Sequence, residues 1–263
     1  MKVSAVGFLN AAPLWWGLRE GSLPEGWELS FDTPSRCADR LASGEADLGL
    51  IPSAEFVRQE DLVLAAPLGV AALKEVTSVL LLCGGDLEAV ETVHLDAASR
   101  TSQALVKHLL GLRLPRAPRY VEAASPPAAL GPKEAALVIG DRALALPAGL
   151  KRAGRHDLAA LWYEATGLPF VFAVWAGRRE VCTPECRRAL EASLAAGLGS
   201  VDAIAAEAGP RLGLTRDRVR QYLTVHLRYT LGGAEIEALR RFARSALGKE
   251  LDDERLGAAF DPA

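Results

Sequence analysis

Val3-Ser4-Ala5-Val6-Gly7-Phe8-Leu9-Asn10-Ala11-Ala12-Pro13-Leu14 reads as a short buried strand that runs into a turn, with a helix beginning near Pro13. One polar side chain, Asn10, stands on the carboxyl side of that strand. In α/β proteins ligands sit outside the carboxyl ends of parallel strands. Asn10 therefore either faces a cleft and hydrogen-bonds a ligand there, or caps the helix that Pro13 opens. The stretch by itself allows both.

The same strand, turn and helix succession returns along the chain. Residues 27–31 alternate apolar and polar, as a half-buried strand does. Asp32-Thr33-Pro34-Ser35 supplies a cap followed by Pro at the first helical position; Cys37, Ala38 and Leu41 form the inner face, and Gly44 closes the helix. A buried strand over 47–52 stops at Pro52 and leaves Ser53 at its carboxyl end, as Asn10 is at the first. Residues 62–66 and 76–83 are two further strands, the second apolar enough to be buried on both faces. Thr77 and Ser78 are polar exceptions that either complete backbone hydrogen bonds or reach a ligand.

A second unit begins beyond Gly84-Gly85. A strand over 93–96 leads into Ser99-Arg100-Thr101-Ser102 and a helix over 103–110 that Gly111 ends. Three hydroxyls and an arginine at a helix start, where N–H groups are unpaired and the dipole is positive, suit a carboxylate or phosphate. Helix capping accounts for the hydroxyls equally well. Residues 119–122 form a strand, a Pro-rich connection follows, and the apolar run 135–139 exits at Gly140-Asp141. Gly140 allows a close approach to the backbone, and Asp141 either receives a ligand hydroxyl or caps the next helix. The strand 170–176 is long enough to cross back to the first unit. The remaining residues read as helices, opened by Thr183-Pro184, Thr215 and Gly232-Gly233, with a charged, peripheral tail after Gly248.

Alternation of strands and helices over residues 1–176 predicts an α/β protein. The Gly84-Gly85 break and the return strand divide it into two lobes with two crossings: 1–88 with 177–263, and 89–176. Asn10, Ser53, Thr101 and Asp141 would face the cleft between them, a preferred ligand position.

Composition narrows the function. The chain has 263 residues, half of them hydrophobic, and a formal net charge of −3. The absence of a Lys/Arg block argues against nucleic acid as partner, and no apolar run approaches a membrane span. No secretory signal is visible, so a cytoplasmic protein is expected. The four cysteines lack CxxC spacing and are expected as reduced thiols, with no metal site. Glycine-rich phosphate loops, a GxSxG elbow and HExxH are missing, and the cleft groups are neutral: Asn, Ser, Thr and Gly. Such groups bind a small anion but accept protons poorly.

Taken together, several stretches resemble one family, the chorismate dehydratases of the futalosine route to menaquinone. They are Gly7-Phe8-Leu9-Asn10 with Pro13-Leu14, Pro34-Ser35-Arg36 with Gly44-Glu45-Ala46-Asp47-Leu48, and Leu50-Ile51-Pro52-Ser53-Ala54-Glu55. Val76-Thr77-Ser78-Val79, Ser99-Arg100-Thr101-Ser102, Ile139-Gly140-Asp141, and Trp162 with Leu168-Pro169-Phe170-Val171-Phe172-Ala173-Val174-Trp175 continue the pattern. The resemblance is collinear over about residues 3–178; Phe8 stands where Tyr is usual and Pro52 where Ser is common. It implies a two-lobed, type II periplasmic-binding-protein-like fold acting as an enzyme on a small molecule, chorismate, without metal or organic cofactor. The reaction it implies is loss of water to give 3-[(1-carboxyvinyl)oxy]benzoate. On that basis Ser99, Arg100, Thr101 and Ser102 are expected to hold a carboxylate, and Asn10 to orient the departing hydroxyl or a carboxylate. Ser53, Ser78, Gly140 and Asp141 complete the expected pocket. With no evident base, the enolpyruvyl carboxylate of the substrate is expected to take the ring proton. Two rivals share the fold: 1,4-dihydroxy-6-naphthoate synthase, whose Ser-Pro-Cys-Pro-Asn-Asp-like opening is absent, and a non-catalytic solute-binding protein. The sequence leaves the oligomeric state open.

Overall fold

β1 (Lys2–Val6) is followed by a 3-10 turn over Leu9–Ala11 and by α1 (Ala12–Glu20). The computed structural model describes residues 1–256 except Ser22, Pro147 and Arg152. β1 lies parallel to β2 (Glu28–Asp32) and β3 (Leu48–Pro52), because each link between them is long enough to hold a crossover helix. Between β2 and β3 that helix is α2 (Pro34–Ala42), where Thr33 caps by accepting from the Arg36 N–H and Pro34 takes the first turn. α3 (Ser53–Arg58) then leads to β4 (Leu62–Ala72), which is buried at every position.

A second sheet contains β5 (Val79–Cys83), β6 (Thr92–Asp96), β7 (Arg119–Ala123), β8 (Glu134–Ile139) and β9 (Gly154–Asp157), in the order β7-β6-β8-β5-β9. Its helices are α4 (Arg100–Arg113), α5 (Gly140–Leu144) and α6 (Leu158–Thr166). β10 (Phe170–Arg178) then returns to the first sheet and pairs antiparallel with both β3 and β4. After α7 (Pro184–Gly199), α8 (Val201–Leu212), α9 (Arg216–Gln221) and a π turn over Tyr222–His226, β11 (Arg228–Thr230) completes the first sheet as β11-β4-β10-β3-β1-β2. α10 (Gly233–Leu247) and α11 (Asp253–Leu256) end the described chain. No single described helix is long and apolar enough to cross a membrane.

Sheet membership differs from the division at residues 88 and 176. β5 belongs to the second sheet and β10 to the first, so the chain changes sheets between β4 and β5 and again between β9 and β10. Both strands are continuous apolar runs, which reveal burial but not the sheet that buries them. β5 also starts at Val79 instead of 76, because Thr77 adopts φ 60° and breaks the extended run. The Asp157 carboxylate holds that turn, accepting from Val76 N (3.0 Å) and Thr77 N (2.7 Å) while capping α6. Burial pushes its carboxyl above the ordinary value, against the pull of those N–H groups. β9 and β11 are short and lack an apolar pattern, and pairing with a neighbouring strand creates them.

α7 fixes the start of the chain. Ser193 Oγ donates to Leu14 O at 3.0 Å and accepts from Leu18 N at 3.1 Å, and a Cβ on Gly197 would lie 2.1 Å from Pro13 O. α1 therefore packs at backbone distance on α7, a firm base for the turn that carries Asn10.

The tail after Gly248 is not peripheral as far as residue 256; residues 257–263 lie outside the described part. Leu251, Arg255 and Leu256 are buried. The Arg255 guanidinium donates to the carbonyls of Leu62, Val57, Phe56 and Gln59, closing the end of α3 and the start of β4. Arg255→Ala leaves these acceptors without that donor. We expect it to destabilise by about 3 kcal/mol, read as a lower denaturant midpoint at unchanged slope.

Candidate active site

Four of the expected site residues, Asn10, Ser99, Ser102 and Gly140, line one cavity between the two sheets. Phe8, Pro34, Pro52, Phe172 and Ala173 add its apolar walls. In this closed arrangement it measures about 40 Å³, room for water but not for a substituted six-membered ring.

Asn10 does not cap a helix. The residue before the 3-10 turn is Phe8, the residue before α1 is Ala11, and neither cap involves the Asn10 side chain. Its Oδ1 is buried without a hydrogen-bond partner among the described residues. A buried acceptor left unpaired costs about 1–3 kcal/mol, so its position marks a place where a ligand donor fits.

Opposite stands the start of α4. Ser99 is the cap: its Oγ accepts from Ser102 N at 3.2 Å and donates to Ser102 Oγ at 2.8 Å. The Ser102 hydroxyl hydrogen remains as a donor to the cavity. With Ser102 N taken by the cap, helix geometry leaves the N–H groups of Arg100 and Thr101 without an intrahelical partner, and the dipole there is positive. Capping and anion binding are thus compatible here. Asp96, buried beneath this turn, accepts from Ala98 N at 2.9 Å, and burial raises its pKa above the ordinary carboxylate value.

Ser53 and Thr101 do not line the cavity; their hydroxyls, 3.4 Å apart, tie the two lobes together beside it. Ser53 Oγ donates to Val171 O at 2.7 Å, and Thr101 Oγ1 accepts from Ala54 N at 3.0 Å. Arg100 points outward to Asp39 Oδ1 (2.8 Å) and Glu55 Oε2 (3.2 Å), another tie across the cleft. Ser78 is buried and accepts from the Tyr222 hydroxyl at 2.7 Å, while its carbonyl accepts from Gly140 N at 2.7 Å. Burial pushes the Tyr222 phenol up, so it stays protonated as the donor. Asp141 neither caps α5 nor meets the cavity. It accepts from Leu9 N at 2.8 Å and from Arg211 Nη1 at 3.0 Å, so it clamps the turn that bears Asn10.

Gly140 earns its place by conformation and contact. Its φ is +58°, and a Cβ would lie 2.7 Å from Phe8 Cδ2. The phenyl ring of one lobe thus rests directly on the backbone of the other. Phe172, Ala173, Tyr222 and Arg211 were not among the expected site residues. The first two belong to a buried strand, where no local pattern separates cavity lining from core. Tyr222 and Arg211 meet their partners 144 and 70 residues away.

Among the described lining residues there is no Asp, Glu, His, Lys, Arg, Cys or Tyr. The cavity can orient, donate hydrogen bonds and exclude water, but it offers no side chain that takes a proton near neutral pH.

A family model described as menaquinone biosynthesis matches residues 1–247. A chorismate dehydratase of Thermus thermophilus is 34% identical over 97% of this chain and 94% of its own length. One from Campylobacter jejuni is 31% identical over 64% of this chain and 63% of its own. Among solved structures, a protein of Archaeoglobus fulgidus superposes with TM-score 0.72 at 16% identity, covering 94% of this chain and 97% of that one. The periplasmic aliphatic sulphonate binding protein of Escherichia coli gives 0.65 at 18% identity, over 100% of this chain and 92% of its own. These structural likenesses establish the periplasmic-binding-protein architecture.

Proposed function

Because the chain belongs to the menaquinone-biosynthesis family and is a chorismate dehydratase, we propose that the cavity around Asn10 is where chorismate loses water. The unpaired Asn10 Oδ1, in a cavity without an ionisable side chain, is the observation that carries this reading.

Dehydration removes the ring proton beside the enol ether and the neighbouring hydroxyl, and the ring becomes aromatic. The driving force is in the substrate; the protein's part is placement and electrostatics. Asn10 Oδ1 accepts from the hydroxyl and fixes the direction of its C–O bond. The Ser102 hydroxyl at the start of α4 donates to the ring carboxylate, favoured by the helix dipole. The enolpyruvyl carboxylate reaches the ring proton through a six-membered arrangement, takes it as the C–O bond breaks, and the proton leaves with the hydroxyl as water. Ser53, Ser78, Arg100, Thr101 and Asp141 act through the closure of the two lobes and not by touching substrate. No step requires a metal or organic cofactor. Four free thiols and relatives that are biosynthetic enzymes support a cytoplasmic location.

Incubation with chorismate should give the aromatised product, detected by mass spectrometry; binding without product would point to a solute carrier. If the proton goes to the substrate's own carboxylate, kcat stays flat between about pH 6 and about pH 9. A limb in that range that titrates with a protein group would replace this mechanism by one with a side-chain base.

A further inference from the structure

Phe8 lines the cavity on one side and, on the other, a larger outer pocket of about 280 Å³ bounded by Trp15, Trp16, Arg19, Glu207 and Arg211. Three contacts seal the partition, each joining the first lobe or the C-terminal helices to the second lobe. The Phe8 ring lies on Gly140, Leu9 N donates to Asp141 Oδ1, and Arg211 Nη1 donates to Asp141 Oδ2. The outer pocket has room for a substituted ring, which the inner cavity lacks in this closed arrangement.

The two arginines of the outer pocket differ in what they have left to offer. Arg19 is fixed: Nε donates to Glu20, both terminal nitrogens donate to Glu207, and the guanidinium stacks on Trp16 at 4.0 Å. Arg211 makes one hydrogen bond among the described residues, to Asp141, and its side chain is 57% exposed. Most of its five donors therefore remain for a carboxylate, which matches a guanidinium in a bidentate geometry.

We infer that the outer pocket is where the cyclic dicarboxylate substrate is first captured, with a carboxylate on Arg211, and that Phe8 is the leaf it passes to reach Asn10. This rests on the inner cavity being the catalytic one. A carboxylate on the free donors of Arg211 shares the guanidinium's charge with Asp141 and so weakens their ion pair. Weakening that pair loosens the clamp on Leu9, and with it the turn that holds Phe8 on Gly140. Capture and admission are thereby coupled through one side chain.

Steady-state kinetics with chorismate at low and high ionic strength test this. Arg211→Gln should lower kcat/KM by about tenfold, with the loss carried by KM, and should flatten its salt dependence. Arg211→Lys should restore the salt dependence. Asp141→Asn breaks the ion pair with Arg211, keeps one oxygen for Leu9 N and leaves the cation, so its kcat/KM should remain salt-sensitive. If Arg211→Gln and Asp141→Asn behave alike and both keep the wild-type salt dependence, Arg211 is only a latch and the inference is overturned. Asn10→Ala separates the two proposals. A full kcat there would remove the catalytic reading of the inner cavity, whereas the salt dependence of Arg211→Gln judges capture alone.

Discussion

Asn10→Ala should lower kcat for chorismate by about 10²–10³-fold, the size expected when one preorganised polar group is taken from a reacting centre, while leaving the protein at least as stable as before. Most losses of activity at a buried residue come with a loss of stability. Here the two should part, because Oδ1 accepts from no protein group among the described residues. Deleting an unsatisfied buried acceptor relieves about 1–3 kcal/mol of desolvation and offsets the lost packing. The turn itself does not depend on the side chain, since Asp141 holds Leu9 and Ser193 holds α1 through backbone groups. Thermal unfolding and turnover measured on the same preparation decide it. A variant that melts early and loses activity in proportion would make Asn10 a structural residue.

Gly140→Ala is expected to reduce kcat/KM by about a hundredfold, the penalty typical of displacing a site by about 1 Å. Two effects add. An L side chain at φ +58° costs roughly 1–2 kcal/mol, and the new methyl would stand 2.7 to 3.1 Å from three ring carbons of Phe8. The ring must leave its seat, and the Asp141 clamp one residue away moves with it. Gly111→Ala is the control: nothing lies within 4 Å of its Cβ, and it sits inside α4, where alanine is the better helix former. Gly111→Ala should be stabilising by up to about 1 kcal/mol with turnover intact. Adding Phe8→Ala to Gly140→Ala should restore part of the lost kcat/KM if the ring contact is the cause. An unimproved double variant would assign the loss to backbone strain.

The resemblance to the dehydratases was readable because their motifs fall at strand ends and helix starts, where local chemistry is constrained. Thr33-Pro34 and Thr183-Pro184 open helices as their caps foretell. The Ser99 turn opens α4 in the same way. The roles of the individual polar residues were less readable. Ser53, Thr101, Ser78 and Asp141 occupy the strand ends and turns expected of binding groups. Their hydroxyls and carboxylate are nevertheless occupied by Val171 O, Ala54 N, the Tyr222 phenol and Leu9 N.

By itself, then, the sequence determined most of the strands and helices, that they alternate as α/β, and that Asn10 stands in the turn between the first strand and a proline-led helix. Those properties follow from side-chain periodicity and capping within a few residues, whereas β9 and β11 came only from pairing. The tertiary structure decided which sheet β5 and β10 join, and which polar groups remain unpaired in the closed cleft. Leu9 finds its acceptor 132 residues away and Ser53 its acceptor 118 away, distances over which no local pattern carries information. Asn10 is distinguished from its neighbours by having no such partner, a property that exists only once the two sheets have closed around it.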